Sequence, residues 1–357
     1  MKIGFDAKRL FFNSTGLGNY SRQWVEALSH INEVECHLYA SKSAKFGDLS
    51  VHTPNFKKNS HQKSLFDGYW RTYKMGAQSQ SDGCQIFHGL SNEIPMGKLS
   101  IPRVCTIHDV VFKEFSNHYP RIDRHLYDFK TRFACKHADA LIVTSETTKH
   151  ELQKYYTVDG SKVHVIYQTI DARFSEASWT PNRENPYLLY YSSFNLRKNQ
   201  IKLIESFATI ANNTHYNLLL AGQGREKSAI LTAIKGLGME NRIKVIESPS
   251  NDELIKLLRC SSGFVYPSLQ EGFGIPLVEA ANVGVPMAVS DIPIFRELSE
   301  NSALEYFNPN DIDDMASGVL KLCKSESTII PNYKSMIEKT SANHMLESAM
   351  KVYRSLL

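Results

Sequence analysis

Long hydrophobic runs are missing from this sequence of 357 residues. No stretch approaches the roughly 20 apolar residues that a membrane-crossing helix needs. The first apolar run, Ile3–Phe5, is far too short for a secretory signal core, and Asp6 follows at once. The expected location is therefore cytoplasmic, or peripheral at the inner face of a membrane at most. The six cysteines, Cys36, Cys84, Cys105, Cys135, Cys260 and Cys323, stand at neither metal-site nor redox spacing. Cys105 and Cys260 lie in apolar surroundings and read as small core residues, which suits a reducing compartment. Charge of one sign is not in surplus either. With 41 basic against 37 acidic residues the net charge is +4, too slight for a nucleic-acid binder. It suits a polyanionic small ligand or weak contact with an anionic membrane surface. No internal repeat, low-complexity tract or metal-binding carboxylate cluster is visible, so neither a metal nor a cofactor is expected.

What is present is alternation. The length exceeds what one hydrophobic core serves, so two domains are expected. Short apolar runs predict strands at Lys2–Phe5, Cys36–Tyr39, Gln85–Phe87, Arg103–Thr106, Ala140–Val143 and Val163–Ile166. A second series follows at Tyr187–Tyr191, Asn217–Ala221, Ile243–Ile246, Gly263–Tyr266, Met287–Val289 and Leu304–Tyr306. Helical periodicity falls between them, as at Tyr20–Leu28, Arg121–His137, Thr147–Tyr155, Gln200–Ile210 and Asp311–Cys323. This is the α/β pattern of parallel sheets covered by helices. The series breaks once, at Asp171–Pro186, which reads as a linker. The predicted domains are 1–171 and 187–342, joined by 172–186, with a last helix at 343–357 crossing back to the first domain. Ligands of such sheets bind beyond the carboxyl ends of the strands, and with two domains facing each other the cleft between them is the expected site. The aromatics Phe66, Tyr69, Trp70 and Tyr73 recur at helical spacing and read as core, with a membrane-facing or acceptor-facing helix as the alternative.

Three glycine-rich turns follow strands. Ser14-Thr15-Gly16-Leu17-Gly18-Asn19 precedes a helix, where glycines permit close backbone approach and the helix N-terminus favours an anion. A tight strand-to-helix turn explains it equally well. Gly222-Gln223-Gly224-Arg225 has the same two readings. The third, Glu271-Gly272-Phe273-Gly274-Ile275-Pro276, opens a helix that carries Glu279 one turn in. Pro276 suits a first helical position, and Gly272 and Gly274 leave amides open toward an anion. Carboxylates that accept hydrogen bonds from vicinal hydroxyls, beside amides that hold a diphosphate, fit a nucleotide diphosphate sugar. His108-Asp109 ends another buried strand. The histidine there would orient a sugar or handle a proton, whereas Asp109 is also a good turn former. His88 ends a neighbouring strand.

The stretch from Tyr266-Pro-Ser-Leu-Gln-Glu271 through Gly-Phe-Gly-Ile-Pro276-Leu-Val-Glu279-Ala, with Gly284-Val285-Pro286 and Ser290-Asp291-Ile292-Pro293, resembles the carboxy-terminal signature of glycosyltransferase family 4. Asp6-Ala7 with Gly16-Leu17-Gly18, Phe87-His88-Gly89-Leu90, Thr106-Ile107-His108-Asp109 and Ala140–Ser145 resemble its amino-terminal motifs. Tyr190–Asn199 resembles the start of its donor domain, so the likeness covers nearly the whole chain. The resemblance implies the GT-B architecture, two Rossmann-like doubly wound parallel-sheet domains facing a central cleft. It also implies metal-independent transfer of a sugar from a nucleotide donor with retention at the anomeric carbon.

Carried onto this sequence, the resemblance gives Glu279 the donor ribose hydroxyls and Glu271 the hydroxyls of the transferred hexose. Gly272, Phe273 and Gly274 supply amides, and Lys198 contacts the diphosphate. Gly16 and Gly18 approach the phosphates, and His108 sits by the reacting centre, with Asp109 and His88 as further sugar or acceptor contacts. The family often has glycine then arginine where this chain has Ser192, Ser193 and Phe194. Arg197 is then the substitute cation, although adjacent residues on one element seldom point the same way. Its usual Asn-Gly is here Gln168-Thr169. A leaving diphosphate gains charge, which preorganised cations and amide dipoles stabilise. The family mechanism implied is attack on the same face as departure. Relatives with a similar Arg-Lys-Asn segment use GDP-mannose, and a saccharide or lipid-linked glycan is the expected acceptor. The rivals are a sugar-nucleotide epimerase, a phosphorylase and a non-catalytic sugar-nucleotide-binding subunit.

Overall fold

The computed structural model describes residues 1–13, 16–42, 44–53, 67–115, 119–300, 302, 304–324 and 332–357. The chain forms two compact units, Met1–Ile170 with Ser341–Leu357, and Asp171–Thr340. Among the described residues no helix is long and apolar enough to cross a membrane.

The first unit is built on seven parallel strands: β1 (Lys2–Asp6), β2 (Glu35–Tyr39), β3 (Ser50–His52), β4 (Ile86–Gly89), β5 (Arg103–Ile107), β6 (Ala140–Val143) and β7 (Val163–Val165). Their order is β3-β2-β1-β4-β5-β6-β7. The inner strands are buried on both faces, which is why they read as unbroken apolar runs rather than alternating ones. Strand β3 was not expected. It is a three-residue edge strand, half exposed, and Ser-Val-His carries no apolar run. The helix Gly16–Ser29 buries Tyr20, Trp24, Val25 and Leu28 on one face. The C-terminal helix Ala342–Ser355 adds Met345, Ala349, Val352 and Tyr353 to the same core, and Trp24 Nε1 donates to the Tyr353 hydroxyl at 2.9 Å.

The second unit has β8 (Tyr187–Tyr191), β9 (Asn217–Gly222), β10 (Ile243–Glu247), β11 (Gly263–Tyr266), β12 (Met287–Ser290) and β13 (Glu305–Phe307), in the order β10-β9-β8-β11-β12-β13. The stretch expected as an irregular linker is docked on this unit. It opens with the short helix Ala172–Glu176, capped by Asp171, whose one buried residue is Phe174. Beyond it, Trp179, Thr180 and Asn182 donate backbone hydrogen bonds to Val283, Arg259 and Cys260. A single buried side chain gives no periodicity to read. Among the aromatics near residue 70, Trp70 is core, whereas Tyr69 and Tyr73 are exposed; Phe66 lies outside the described residues. All six thiols are free; Cys105 is fully buried and Cys260 only partly so.

Each sheet reverses its strand order once, between β1 and β4 in the first unit and between β8 and β11 in the second. The carboxyl ends at such a reversal leave a crevice, because the flanking connections depart in opposite directions.

Candidate functional site

In the second unit, the chain leaving β8 and the chain leaving β11 meet around one carboxylate. Glu271 is buried. Arg197 Nη1 donates to its Oε2 at 2.7 Å, and the Tyr266 hydroxyl donates to its Oε1 at 3.0 Å. Lys198 Nζ donates to the same Oε1, and to the Tyr266 hydroxyl at 2.9 Å. Arg197 and Lys198 are adjacent and yet converge, contrary to expectation. They lie on a 3-10 turn, Leu196–Lys198, and Asn199 ends it in the left-handed region (φ 61°). Burial alone would push the Glu271 carboxyl up, but Arg197 and then Lys198 outweigh it and hold it at about 2. Both cations are thus fixed in position on Glu271 before any ligand arrives.

The helix Ile275–Val283 begins immediately after this loop, with Gly274 as its N-cap. Gly274 has φ 110°, and a Cβ there would lie 2.9 Å from the Phe295 ring, so no other residue fits without strain. Pro276 stands one position later than expected, still within the turn whose amides lack intrahelical acceptors. Gly272 and Phe273 are buried in the connecting loop. Glu279, further along this helix, accepts from the Tyr191 hydroxyl at 2.6 Å. No cation faces it. Burial raises its carboxyl to about 7, against the Tyr191 hydrogen bond and with a small further push from Asp171. The turn after β9 serves packing: a Cβ at Gly222 or Gly224 would sit 1.9 or 2.1 Å from the carbonyl oxygens of Ser192 or Phe194.

In the first unit, a cavity of about 190 Å³ opens at the β1/β4 reversal, lined by Arg9, Asn92, His108, Tyr119, Tyr127 and Lys130 among others. Arg9 Nε is buried there without a hydrogen-bond partner. His108 Nε2 donates to the Leu90 carbonyl at 2.8 Å, and Nδ1 receives Gln168 Nε2 at 3.2 Å. Both ring nitrogens are thus engaged within the protein, and burial lowers the imidazole's pKa. Its ring still lines the cavity, so it is placed to pack against a ligand. Exchanging a proton with one would require Gln168 to move. Asp109 is a capped turn, accepting from the Val111 amide at 3.2 Å, and it also lines the cavity.

His88 must be corrected. It is fully buried. Its Nδ1 meets the Tyr353 hydroxyl at 2.7 Å and its Nε2 meets Thr106 Oγ1 at 2.9 Å. Burial drives its pKa down to about 3, so it is a neutral core residue that ties the C-terminal helix to the sheet, with no face left for a sugar. Gly18 is also occupied: a Cβ would sit 1.8 Å from the Asn13 carbonyl oxygen, so its lack of a side chain lets the helix pack on the preceding turn. Gly16 is open and exposed at the start of that helix. Ser14 and Thr15 lie outside the described residues. Sequence reasoning missed Tyr191, Tyr266, Arg9 and Lys130. The two tyrosines end apolar strands and look like core in sequence. Arg9 and Lys130 meet only through the fold.

Residues 14–174 match the family described as Glycosyltransferase Family 4, and residues 171–342 match Glycosyl transferases group 1. The chain is 27% identical to the O-antigen chain mannosyltransferase RfbU of Salmonella typhimurium over 87% of this chain and 88% of that one. It is 25% identical to O-antigen chain mannosyltransferase B of Escherichia coli over 92% of each. A GDP-mannose:cellobiosyl-diphosphopolyprenol alpha-mannosyltransferase of Xanthomonas oryzae is 29% identical over 41% of this chain and 39% of that one. Among solved structures, sucrose-phosphate synthase of Thermosynechococcus elongatus superposes with a TM-score of 0.77 at 16% identity, covering 100% and 99% of the two chains. An Anabaena protein, HepE, in complex with UDP and glucose gives 0.74 at 16% identity over 99% of each. Two parallel-sheet domains of GT-B type, the Glu271–Glu279 segment and these matches together place the chain in the group 1, family 4 glycosyltransferases.

Proposed function

We propose that this enzyme transfers mannose from GDP-mannose, with retention and without a metal ion, to a saccharide or lipid-linked glycan acceptor of a surface polysaccharide. The carrying observation is the pair of cations, Arg197 and Lys198, held on Glu271 at the sheet reversal and beside the start of the helix Ile275–Val283. A departing nucleoside diphosphate gains charge, and cations already in place stabilise it without reorganising. In this reading Lys198, Arg197 and the amides of Gly272, Phe273 and Gly274 receive the diphosphate. Glu271 positions the cations and meets the hexose, Glu279 takes the ribose hydroxyls, and Gly16 borders the phosphates. His108 packs by the sugar, Asp109 shapes the acceptor cavity, and the acceptor nucleophile attacks from the face the diphosphate leaves. The mannosyltransferases among its relatives support mannose, and the diphosphopolyprenol substrate of one of them supports a lipid-linked acceptor.

The test is a panel of labelled nucleotide sugars, with and without EDTA, scored for transfer and for donor hydrolysis. GDP-mannose should be consumed with EDTA present, giving an α-linked product. Absence of transfer and hydrolysis with every donor would overturn the enzyme reading. A thermal-shift panel locates the donor: Glu279→Ala should lose the guanosine-dependent shift, and an unchanged shift would remove Glu279 from the ribose.

A further inference from the structure

Acidic and basic side chains at the first unit's cavity hold one another, and Arg9 stands outside that arrangement. Arg71 donates from Nε to Asp6 at 2.7 Å and also reaches Glu93. Lys130 pairs with the other oxygen of Glu93 at 2.5 Å. The second oxygen of Asp6 accepts the Lys8 amide at 3.1 Å. Arg9 follows on the short helix Lys8–Phe12, directly beyond β1. Among the described residues its guanidinium has neither a hydrogen bond nor an ion pair, although its Nε is buried. A buried donor without an acceptor weakens the fold, so a guanidinium kept in that condition calls for an explanation. Aromatic residues also line the cavity. Tyr119 and Tyr127 meet edge to face with ring centroids 6.3 Å apart, and Phe112 lies 6.0 Å from Tyr127. Apolar rings with a few placed polar groups are the make-up of a small-molecule site.

We infer that this cavity takes the acceptor by an anionic group, a carboxylate or a phosphate, and that Arg9 is the residue that reads it. The inference rests on the proposed reading of the cavity as the acceptor's. A guanidinium presents a planar fork of donors that matches two oxygens of one oxyanion. Asp6 and Glu93 are held by Arg71 and Lys130, so the counter-charge for Arg9 has to arrive with the ligand. A neutral sugar brings hydroxyls alone, and an ionised acceptor forms roughly twice as strong a bond. The aromatic rings then offer a surface to the C–H face of the sugar, and Asp109 an acceptor to one of its hydroxyls. Two acceptor chemistries carry such a group: the diphosphate of a lipid-linked glycan and the carboxylate of a hexuronate residue. In either case Arg9 determines specificity. It selects which acceptors are held and leaves the donor, bound by the second unit, alone.

Binding to the full chain is measured by calorimetry, with GDP at saturation so that the second unit's cations are occupied. The probes are methyl glucuronide, glucose 1-phosphate and neutral methyl glucoside. One of the charged probes should bind at least about tenfold more tightly than the neutral one, and which of them does so identifies the source of the anion. Arg9→Met should lose that preference. Arg9→Lys, which keeps the charge without the fork, should retain part of it. Because Arg9 has no partner in the described chain, Arg9→Met should melt no lower than the parent. With a charged acceptor it should raise the acceptor KM at least about tenfold and leave kcat and the donor KM within about twofold. Equal or absent binding of the charged probes by the parent overturns the inference. So does a preference that survives in Arg9→Met, or a fall in that variant's melting temperature. If charged and neutral acceptors are glycosylated alike, Arg9 loses this role and the proposed activity remains. If the charged probes bind through Arg9 and no acceptor is glycosylated, the anion site remains and the proposed activity falls.

Discussion

Glu271 and Glu279 stand on one loop–helix segment, and both are almost wholly buried, 6% and 7% exposed. Their surroundings are opposite. Two cations and a tyrosine close on Glu271, and its carboxyl is held at about 2. Among the described residues Glu279 meets one tyrosine hydroxyl and no cation, and its carboxyl rises to about 7. Burial by itself penalises the ionised form of both; neighbours decide which one keeps its charge. The consequence is a division of labour. Glu271 is an anion at any physiological pH, suited to holding cations in place. Glu279 is poised near neutrality, so hydroxyl donors from a ribose would draw it into its ionised form on binding.

The largest effect should come from breaking the ionised side of this contrast. Glu271→Gln removes the carboxylate that the buried Lys198 and the half-buried Arg197 share. Removing one member of a buried ion pair costs about 3–5 kcal/mol, and urea unfolding at pH 7 should show a loss of that size. A loss below about 1 kcal/mol would mean that the knot relaxes into solvent. Because the folded carboxyl lies below its ordinary value of 4.5, its contribution is complete above that value. It is lost as pH falls toward about 2, so the deficit of the variant should shrink in acid.

Glu279→Gln should do the reverse. A folded carboxyl raised from 4.5 to about 7 destabilises the native state progressively as pH rises through that window, because the unfolded chain ionises first. The amide does not titrate. Relative to the parent, the variant should therefore gain stability between pH 4.5 and pH 8, by on the order of 3 kcal/mol. Melting temperatures of the two proteins at both pH values check it, and parallel curves would sink the assignment.

How far this was legible in the sequence varies with the physics involved. Central strands such as β6 are buried on both faces and leave an apolar run that no turn or helix mimics. The edge strand β3 and the helix Ala172–Glu176 bury too little to leave a pattern. The Glu271–Glu279 segment was legible because Gly274 is demanded by its left-handed backbone and Pro276 is at home in the first turn of the helix. The opposite states of the two carboxylates were not, since Arg197 and Lys198 reach Glu271 only because a 3-10 turn and the left-handed Asn199 re-aim the chain leaving β8. His88 was misread for a related reason. A residue ending a strand at the sheet reversal has the same sequence signature whether it faces a ligand or the core. Its decisive partner, Tyr353, comes from the far end of the chain.

The turn between the two carboxylates can be strained without touching either. Gly274→Ala forces a side chain into φ 110° and against Phe295. Backbone of that kind costs about 1–3 kcal/mol. Denaturant unfolding should show a loss in that range at pH 5 and pH 8 alike, because no titrating group changes partner. A pH-dependent loss would show that the start of the helix helps set one of the two carboxyls.

The smallest effect isolates the single hydrogen bond on Glu279. Tyr191→Phe removes the 2.6 Å contact to Oε2 and a weaker one of 3.2 Å to the Pro276 carbonyl. A hydrogen bond to a charged acceptor contributes about 1.5–3 kcal/mol, one between neutral groups about 1. At pH 5 Glu279 is protonated and the loss should be the smaller of these; at pH 8 it is ionised and the loss should be the larger. The difference, about 1 kcal/mol, is the part of the Glu279 carboxyl's pKa that Tyr191 holds down. Without it the carboxyl should titrate above 7. An equal loss at both pH values would mean that Tyr191 acts through packing, and that burial alone sets the charge of Glu279.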